Sequence, residues 1–331
     1  MVPSFNAFRK NFNLFSESSL TDLNWNNVVV AGSAVVTSLL PVSAEHGEST
    51  RALRNYYHEE LAPSSDVDLF LWGLTEEQAL EKIKEIEKSI KDSILAETTT
   101  VRTKNAITIV SQYPTRHVQI VLRLYKSISE ILTGFDVDSS CFAYDGSHVY
   151  GTPRGIASFL TQSNTIDLSR RSPSYENRLF KYATRGFEIY CADLDRKRVD
   201  PTIYERAFAR VQGLARLLVL ERLPKESDRD SYRDQRRLER ARPTINQNWR
   251  NMNRGRLRDN YKDKDPQDVA EWVMEEQDDI SSYHTFTIPY GGRYNAKKIE
   301  KYASKVFKQK FANIYQISLH KGPSLKQRVE Q

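Results

Sequence analysis

The run Ser65-Asp-Val-Asp-Leu-Phe-Leu-Trp72 decides how this chain is read. Polar and apolar positions alternate at its start, which predicts a strand over Asp66–Trp72. Residues i and i+2 of a strand share a face, so Asp66 and Asp68 project together while Val67 and Leu69 alternate about them. Two carboxylates so placed repel each other unless a cation sits between them. Upstream, Asn27–Ala31 is a short β-branched run ending at Gly32-Ser33, and Ala34–Leu40 reads as a helix stopped by Pro41. Gly32 lets backbone approach a phosphate, the helix start offers free N–H groups, and Ser33 adds a hydroxyl. Each motif alone also fits a solvated strand or an ordinary turn. Their succession points to a metal held against a triphosphate.

Ala31-Gly32-Ser33 followed by Ser65-Asp66-Val67-Asp68-Leu69 resembles the signature of the DNA polymerase β-like nucleotidyltransferase superfamily, over about residues 26–125. The resemblance implies an α+β fold: a mixed β-sheet nucleotidyltransferase-like core with helices on one side, then a mainly helical C-terminal region. It implies that Gly32 and Ser33 hold the β- and γ-phosphates of an NTP such as ATP, and that Asp66 and Asp68 bind two Mg2+ (or Mn2+) ions. Such ions take hard oxygen ligands and keep substrate phosphates in their shell. The implied reaction is attack of a hydroxyl on the α-phosphate with release of pyrophosphate. The acceptor would be an RNA end, a protein hydroxyl or a small molecule.

Two departures stand out. Gly32 and Asp66 are 34 positions apart, and the polar stretch 43–64 reads as an insertion. The superfamily also places a third carboxylate on a following strand. The matching run here is Arg116-His-Val-Gln-Ile-Val-Leu122, whose inward candidate is Gln119. Asp136 or Asp138, in Gly134-Phe-Asp-Val-Asp-Ser139, would be the substitute; turn hydrogen bonding is the commoner role for such residues. The resemblance further implies cations after the sheet. Lys181 and Arg185, four apart, are expected on one helix face towards the triphosphate, with Tyr175 or Tyr182 under the base. The competing reading is a solvated basic face with the tyrosines in the core.

Elsewhere, Thr75 with Gln78 forms a capping box opening a helix to about Leu95. Tyr113-Pro-Thr-Arg116 joins two extended runs, Ala106–Val110 and His117–Leu124, and Asp145-Gly146 marks a second hairpin. Pro153 opens a short helix. Helices are expected from Ser172-Pro173, with Gly186 as a stop, and over Tyr204–Leu220, Gln267–Glu276 and Asn295–Phe311, with a strand at His284–Pro289. Residues 1–26 show no strong period. The expected domains are 1–168, nucleotidyltransferase-like, and 169–331, mainly helical.

The net charge of +6 is local. Between Lys225 and Lys262, 12 basic residues face 6 acidic ones, a balance equal to the chain's whole excess. Arginines interleaved with Tyr232, Trp249 and Tyr261 suit RNA or DNA, although the mixed acids equally suit a connector. No apolar run approaches the ~18 residues of a membrane span. Neither a secretory signal, a zinc motif nor a Ser-His-Asp or Cys-His nucleophile is visible, and two cysteines are too few for a disulfide framework. An intracellular protein, cytoplasmic or nuclear, is expected. Beside the enzyme stand two alternatives: a catalytically inactive module binding nucleic acid or protein, and a structural or virion-associated protein.

Overall fold

The computed structural model describes residues 1–172, 174–240, 288–310 and 320–321. Ser4 caps helix α1 (Phe5–Phe15), which buries Phe8, Phe12 and Phe15 at helical spacing. Strand β1 (Val28–Ala31) turns at Gly32 into α2 (Ser33–Leu39). The 43–64 stretch folds as α3 (Ala44–Gly47), α4 (Thr50–Asn55) and a π-helical turn over Tyr56–Leu61. Next come β2 (Val67–Trp72) and α5 (Glu76–Ser93), the latter opened by the expected capping box. A hairpin and a third antiparallel strand follow: β3 (Thr99–Arg102), β4 (Ala106–Val110) and β5 (Val118–Tyr125). Then come α6 (Ile128–Thr133), the hairpin β6 (Phe142–Tyr144) and β7 (Val149–Gly151), and α7 (Pro153–Thr161) with proline in its first turn.

The main sheet has the order β10-β3-β4-β5-β2-β1-β6-β7, where β10 is His320–Lys321. It is mixed: β2 and β5 run parallel and the other neighbours are antiparallel. One face, through Val29, Ala31 and Phe70, packs on Ile131 and Leu132 of α6. The alternate positions Val28, Val30, Leu69 and Leu71 are equally closed, at 0–1% exposed. A strand buried at successive positions needs cover on both faces, so the expected one-sided layer of helices is corrected. Strand β8 (Ser163–Thr165) pairs in parallel with β9 (Glu188–Tyr190) as a separate ribbon.

The chain forms two compact units that are not sequential. Among the described residues, 1–170, 182–190, 288–310 and 320–321 make the first; 171–181 and 191–240 make the second. The chain leaves the first unit near the expected boundary and returns to it twice. The second unit has its own core of Tyr204, Val211, Leu218 and Val219.

Helix α8 (Tyr175–Ala183) begins two residues after Pro173. The expected helix over Tyr204–Leu220 is broken into 3-10 turns at Pro201–Glu205 and Phe208–Arg210 and α9 (Leu214–Arg222). Gly213, at φ +63°, is the break between the last two. Helices α10 (Glu226–Glu239) and α11 (Ala296–Lys310) complete the described chain. The expectations for Gln267–Glu276, for 284–287 of the strand and for Phe311 lie outside the described residues; Ile288 and Pro289 are not in a strand. No helix among the described residues is long and apolar enough to cross a membrane.

Candidate functional site

Gly32 holds φ +78° and ψ −131°, a conformation that side chains with a Cβ rarely adopt. Space is not the reason for glycine here, since a Cβ would meet only Phe135 at an ordinary 3.8 Å. Gly32→Ala should therefore cost about 1–2 kcal/mol of stability from backbone strain alone. A chemical melt checks it; an unchanged midpoint would mean that the turn accepts another conformation. The Gly32 N–H does not await a ligand, because it donates to the Phe142 carbonyl at 2.9 Å.

The turn delivers Ser33 to the segment that carries the aspartates. Ser33 Oγ and Ser65 Oγ share a hydrogen bond of 2.9 Å across 32 residues of sequence. Asp66 lies just ahead of β2 rather than inside it, which corrects the expected strand start by one residue. Asp68 is in β2, in register with Gln119 of β5, so the glutamine stands beside it on the neighbouring parallel strand. Gln119 donates from Nε2 to Thr108 Oγ1 at 3.4 Å. Asp66, Asp68 and Gln119 are all half-buried.

The substitute third acid is not there. Asp138 accepts from Arg154 Nη1 and from the Thr165 N–H, each at 3.0 Å. It braces the end of β8, which is the bland reading of that loop. Among the described residues no group of three His, Cys, Asp or Glu side chains could hold a metal ion, so Asp136 does not complete one either.

Arg185 joins the site, but by a different route from the one expected. Helix α8 ends at Ala183, and the Gly186 turn (φ +90°) carries Arg185 off the helix. Lys181 and Arg185 therefore do not share a helix face, and Lys181 belongs to the second unit. Arg185 donates Nη1 to Ser33 Oγ at 3.0 Å, Nη2 to Ser65 Oγ at 2.8 Å and Nε to the Leu61 carbonyl at 3.3 Å. Its guanidinium also lies 5.2 Å from the Tyr182 ring centre. It is 6% exposed, and burial lowers its pKa. Tyr175 and Tyr182 are buried, as core tyrosines are.

A second buried arginine, Arg116, escaped the sequence reading. It is 1% exposed and lies over the Phe15 ring at 3.9 Å. It donates to four main-chain carbonyls: Phe15 at 3.0 Å, and Tyr57, Ala62 and Ser65 at 2.8 Å each. Burial takes its pKa down to about 10, against the opposing pull of Tyr290 and Asp66. The two arginines thus clasp the end of the 43–64 insertion beside Asp66. The only signal for Arg116 was a charged residue two positions ahead of a strand.

Beyond it, a polar chain ties residues 288–290 to the same unit. Glu17 Oε1 lies 3.1 Å from His58 Nε2 and accepts from Arg54 Nε at 2.7 Å. His58 Nδ1 is 2.8 Å from the Tyr290 hydroxyl, which is 2.7 Å from the Pro114 carbonyl. His117 Nε2 meets the Pro289 carbonyl at 3.1 Å, and burial takes its pKa down to about 4. Cys141 is buried with its thiol pushed up to about 11, consistent with a small apolar residue.

In the second unit, several described arginines of the basic stretch are paired with acids of the same unit. Arg233 pairs with Asp230, Arg237 with Asp234 at 2.9 Å, and Arg236 and Arg240 with Glu205 at 3.2 and 2.6 Å. Arg229 donates to the Leu223 and Pro224 carbonyls. Residues 241–262 of the stretch lie outside the described ones.

A family model described as "Gad2: Gabija anti-defense 2 family protein" matches residues 6–162. That span contains Gly32, Ser33, Asp66, Asp68, Arg116 and Gln119. The chain is also similar to the uncharacterized protein R883 of Acanthamoeba polyphaga mimivirus, 33% identical over 210 residues. The match covers 59% of this chain and 42% of the mimivirus protein.

Proposed function

We propose that the chain is a metal-dependent nucleotidyltransferase, moving a nucleoside monophosphate from an NTP to a hydroxyl acceptor, and that this activity serves anti-defense, the role in the name of the matched family. One observation carries the reading. Arg185, a buried cation, has as acceptors among the described residues two serine hydroxyls and a carbonyl. Among the described residues no carboxylate pairs with it. Buried charges are ordinarily paired, and a guanidinium matches phosphate in two-pronged geometry. It stands at the Gly-Ser turn and at Ser65, next to Asp66, where a triphosphate would meet a metal.

The donor set suits a hard divalent cation. Asp66 and Asp68 supply carboxylate oxygens, Gln119 stands beside Asp68, and substrate phosphates complete such shells. When bound, the cation neutralises phosphate charge and lowers the pKa of an attacking hydroxyl. The chain's own residues do the rest. Ser33 and Arg185 bind the terminal phosphates, and Asp66 and Asp68 hold the cation. The acceptor oxygen bonds to the α-phosphorus as the bond to the bridging oxygen breaks, and pyrophosphate leaves with the electron pair. Gln119 cannot accept the acceptor's proton, which goes to water or to a base on the substrate.

Gln119 also favours a second reading, a silent module that binds nucleotide without turning it over. Incubation with each labelled NTP and Mg2+ or Mn2+ separates them. Label transfer supports the enzyme; metal-dependent binding without transfer supports the silent module; neither binding nor transfer refutes both.

A further inference from the structure

Asp66 stands one residue ahead of β2, so the strand ladder alone does not fix it. Both peptide groups flanking it are nevertheless held, and by consecutive residues. The Ser65 carbonyl accepts from Arg116 Nη1 at 2.8 Å, and the Val67 N–H donates to the His117 carbonyl at 2.9 Å. The same guanidinium reaches the Phe15 carbonyl at the end of α1 and the Tyr57 and Ala62 carbonyls of the insertion. One planar group thus gathers three separate segments around the residue before Asp66.

We infer that Arg116 is the positioning residue for Asp66: it fixes the main chain that aims this carboxylate alongside that of Asp68. The inference rests on the reading of Asp66 and Asp68 as metal ligands. Arg116 touches no substrate atom in this scheme and acts only through the Ser65 carbonyl and the insertion. Lysine cannot replace it, because one ammonium on a flexible stem cannot span four carbonyls in fixed directions. Partners in the shell behind metal ligands typically carry a 10–100-fold effect on metal affinity.

The test is Mn2+ binding by the full chain, read by electron paramagnetic resonance. Arg116→Lys should weaken Mn2+ binding by about 10–100-fold. Phe15→Leu is the control: it removes the ring beneath the guanidinium, destabilises the same region and leaves the four hydrogen bonds. Its Mn2+ affinity should stay within about twofold of the parent, on the premise that the effect travels through the carbonyl bonds. Equal affinities in Arg116→Lys and the parent would overturn the inference while leaving the metal reading standing. No Mn2+ binding by the parent chain would instead remove the metal reading itself. If Arg116→Lys does not fold, hydrogen exchange on the parent decides. Mg2+ should slow exchange at the Asp66 and Val67 amides without changing the β4–β5 ladder. Unchanged exchange at those two amides would overturn the inference.

Discussion

Asp68→Asn should lose metal-dependent NTP binding by about a hundredfold or more, because the charge stabilisation that a metal supplies is worth several kcal/mol. Asparagine keeps the size and shape of aspartate and removes only its charge, so folding should be retained. On the proposed reading, in which both carboxylates hold the cation, Asp66→Asn should behave alike. The informative companion is Gln119→Glu. It stands in register with Asp68 on the adjacent strand, and a third carboxylate there should raise Mn2+ affinity. If the missing base limits turnover, it should also raise label transfer. Isothermal titration with a non-hydrolysable triphosphate, with and without metal, reads all three variants. Metal-dependent binding that survives in both aspartate variants would show that the metal is held by groups other than these two carboxylates.

Acid should destabilise the first unit through His117. Its folded-state pKa is about 4, lowered chiefly by burial, against about 6.5 in an unfolded chain. The unfolded state therefore binds the proton more readily. The neutral imidazole's contribution is fully present above pH 6.5 and is lost as pH falls from there towards 4. Linkage puts the loss at about 2 kcal/mol by pH 5 and about 3 kcal/mol by pH 4. His58, whose pKa burial also lowers, acts in the same direction. Paired carboxylates also lose stability in acid, so the measurement is a difference. His117→Gln retains an amide N–H in reach of the Pro289 carbonyl and cannot titrate. Urea melts of parent and variant at pH 7 and pH 5 should converge as pH falls. Parallel curves would show that His117 is not the group responsible.

Much of the first unit was legible because local rules and burial agree there. The Thr75 capping box, the Asp145-Gly146 hairpin and the Pro153 helix start are set by residues within a few positions, and the structure shows each of them. Other features were harder to read. Phe8, Phe12 and Phe15 repeat at helical spacing, but the polar residues among them hid the period of α1. Gly213 split a helix that its apolar content predicted whole. For the site, Gly32, Ser33, Asp66 and Asp68 were named from spacing, and Ser33 is tied to Ser65 beside Asp66. Arg185 was named for the wrong reason: the expected i, i+4 partnership with Lys181 fails, and the contacts it makes span more than a hundred residues. Arg116 was invisible because its role lies in main-chain carbonyls, which leave no mark on side-chain patterns.

The chain from Glu17 through His58 and Tyr290 to the Pro114 carbonyl has a further consequence, in proton arithmetic. It contains three short contacts, each needing one hydrogen. With Glu17 ionised and His58 neutral, the ring and the phenol supply two between them. In one tautomer His58 donates to Glu17 and Tyr290 donates to His58, which leaves the Pro114 carbonyl without that hydrogen. In the other, Tyr290 satisfies Pro114 while a bare ring nitrogen faces the carboxylate. Moving one hydrogen across the imidazole and turning the phenol O–H from the ring to the Pro114 carbonyl exchanges these states with no heavy atom moving. Only an imidazolium fills all three contacts at once.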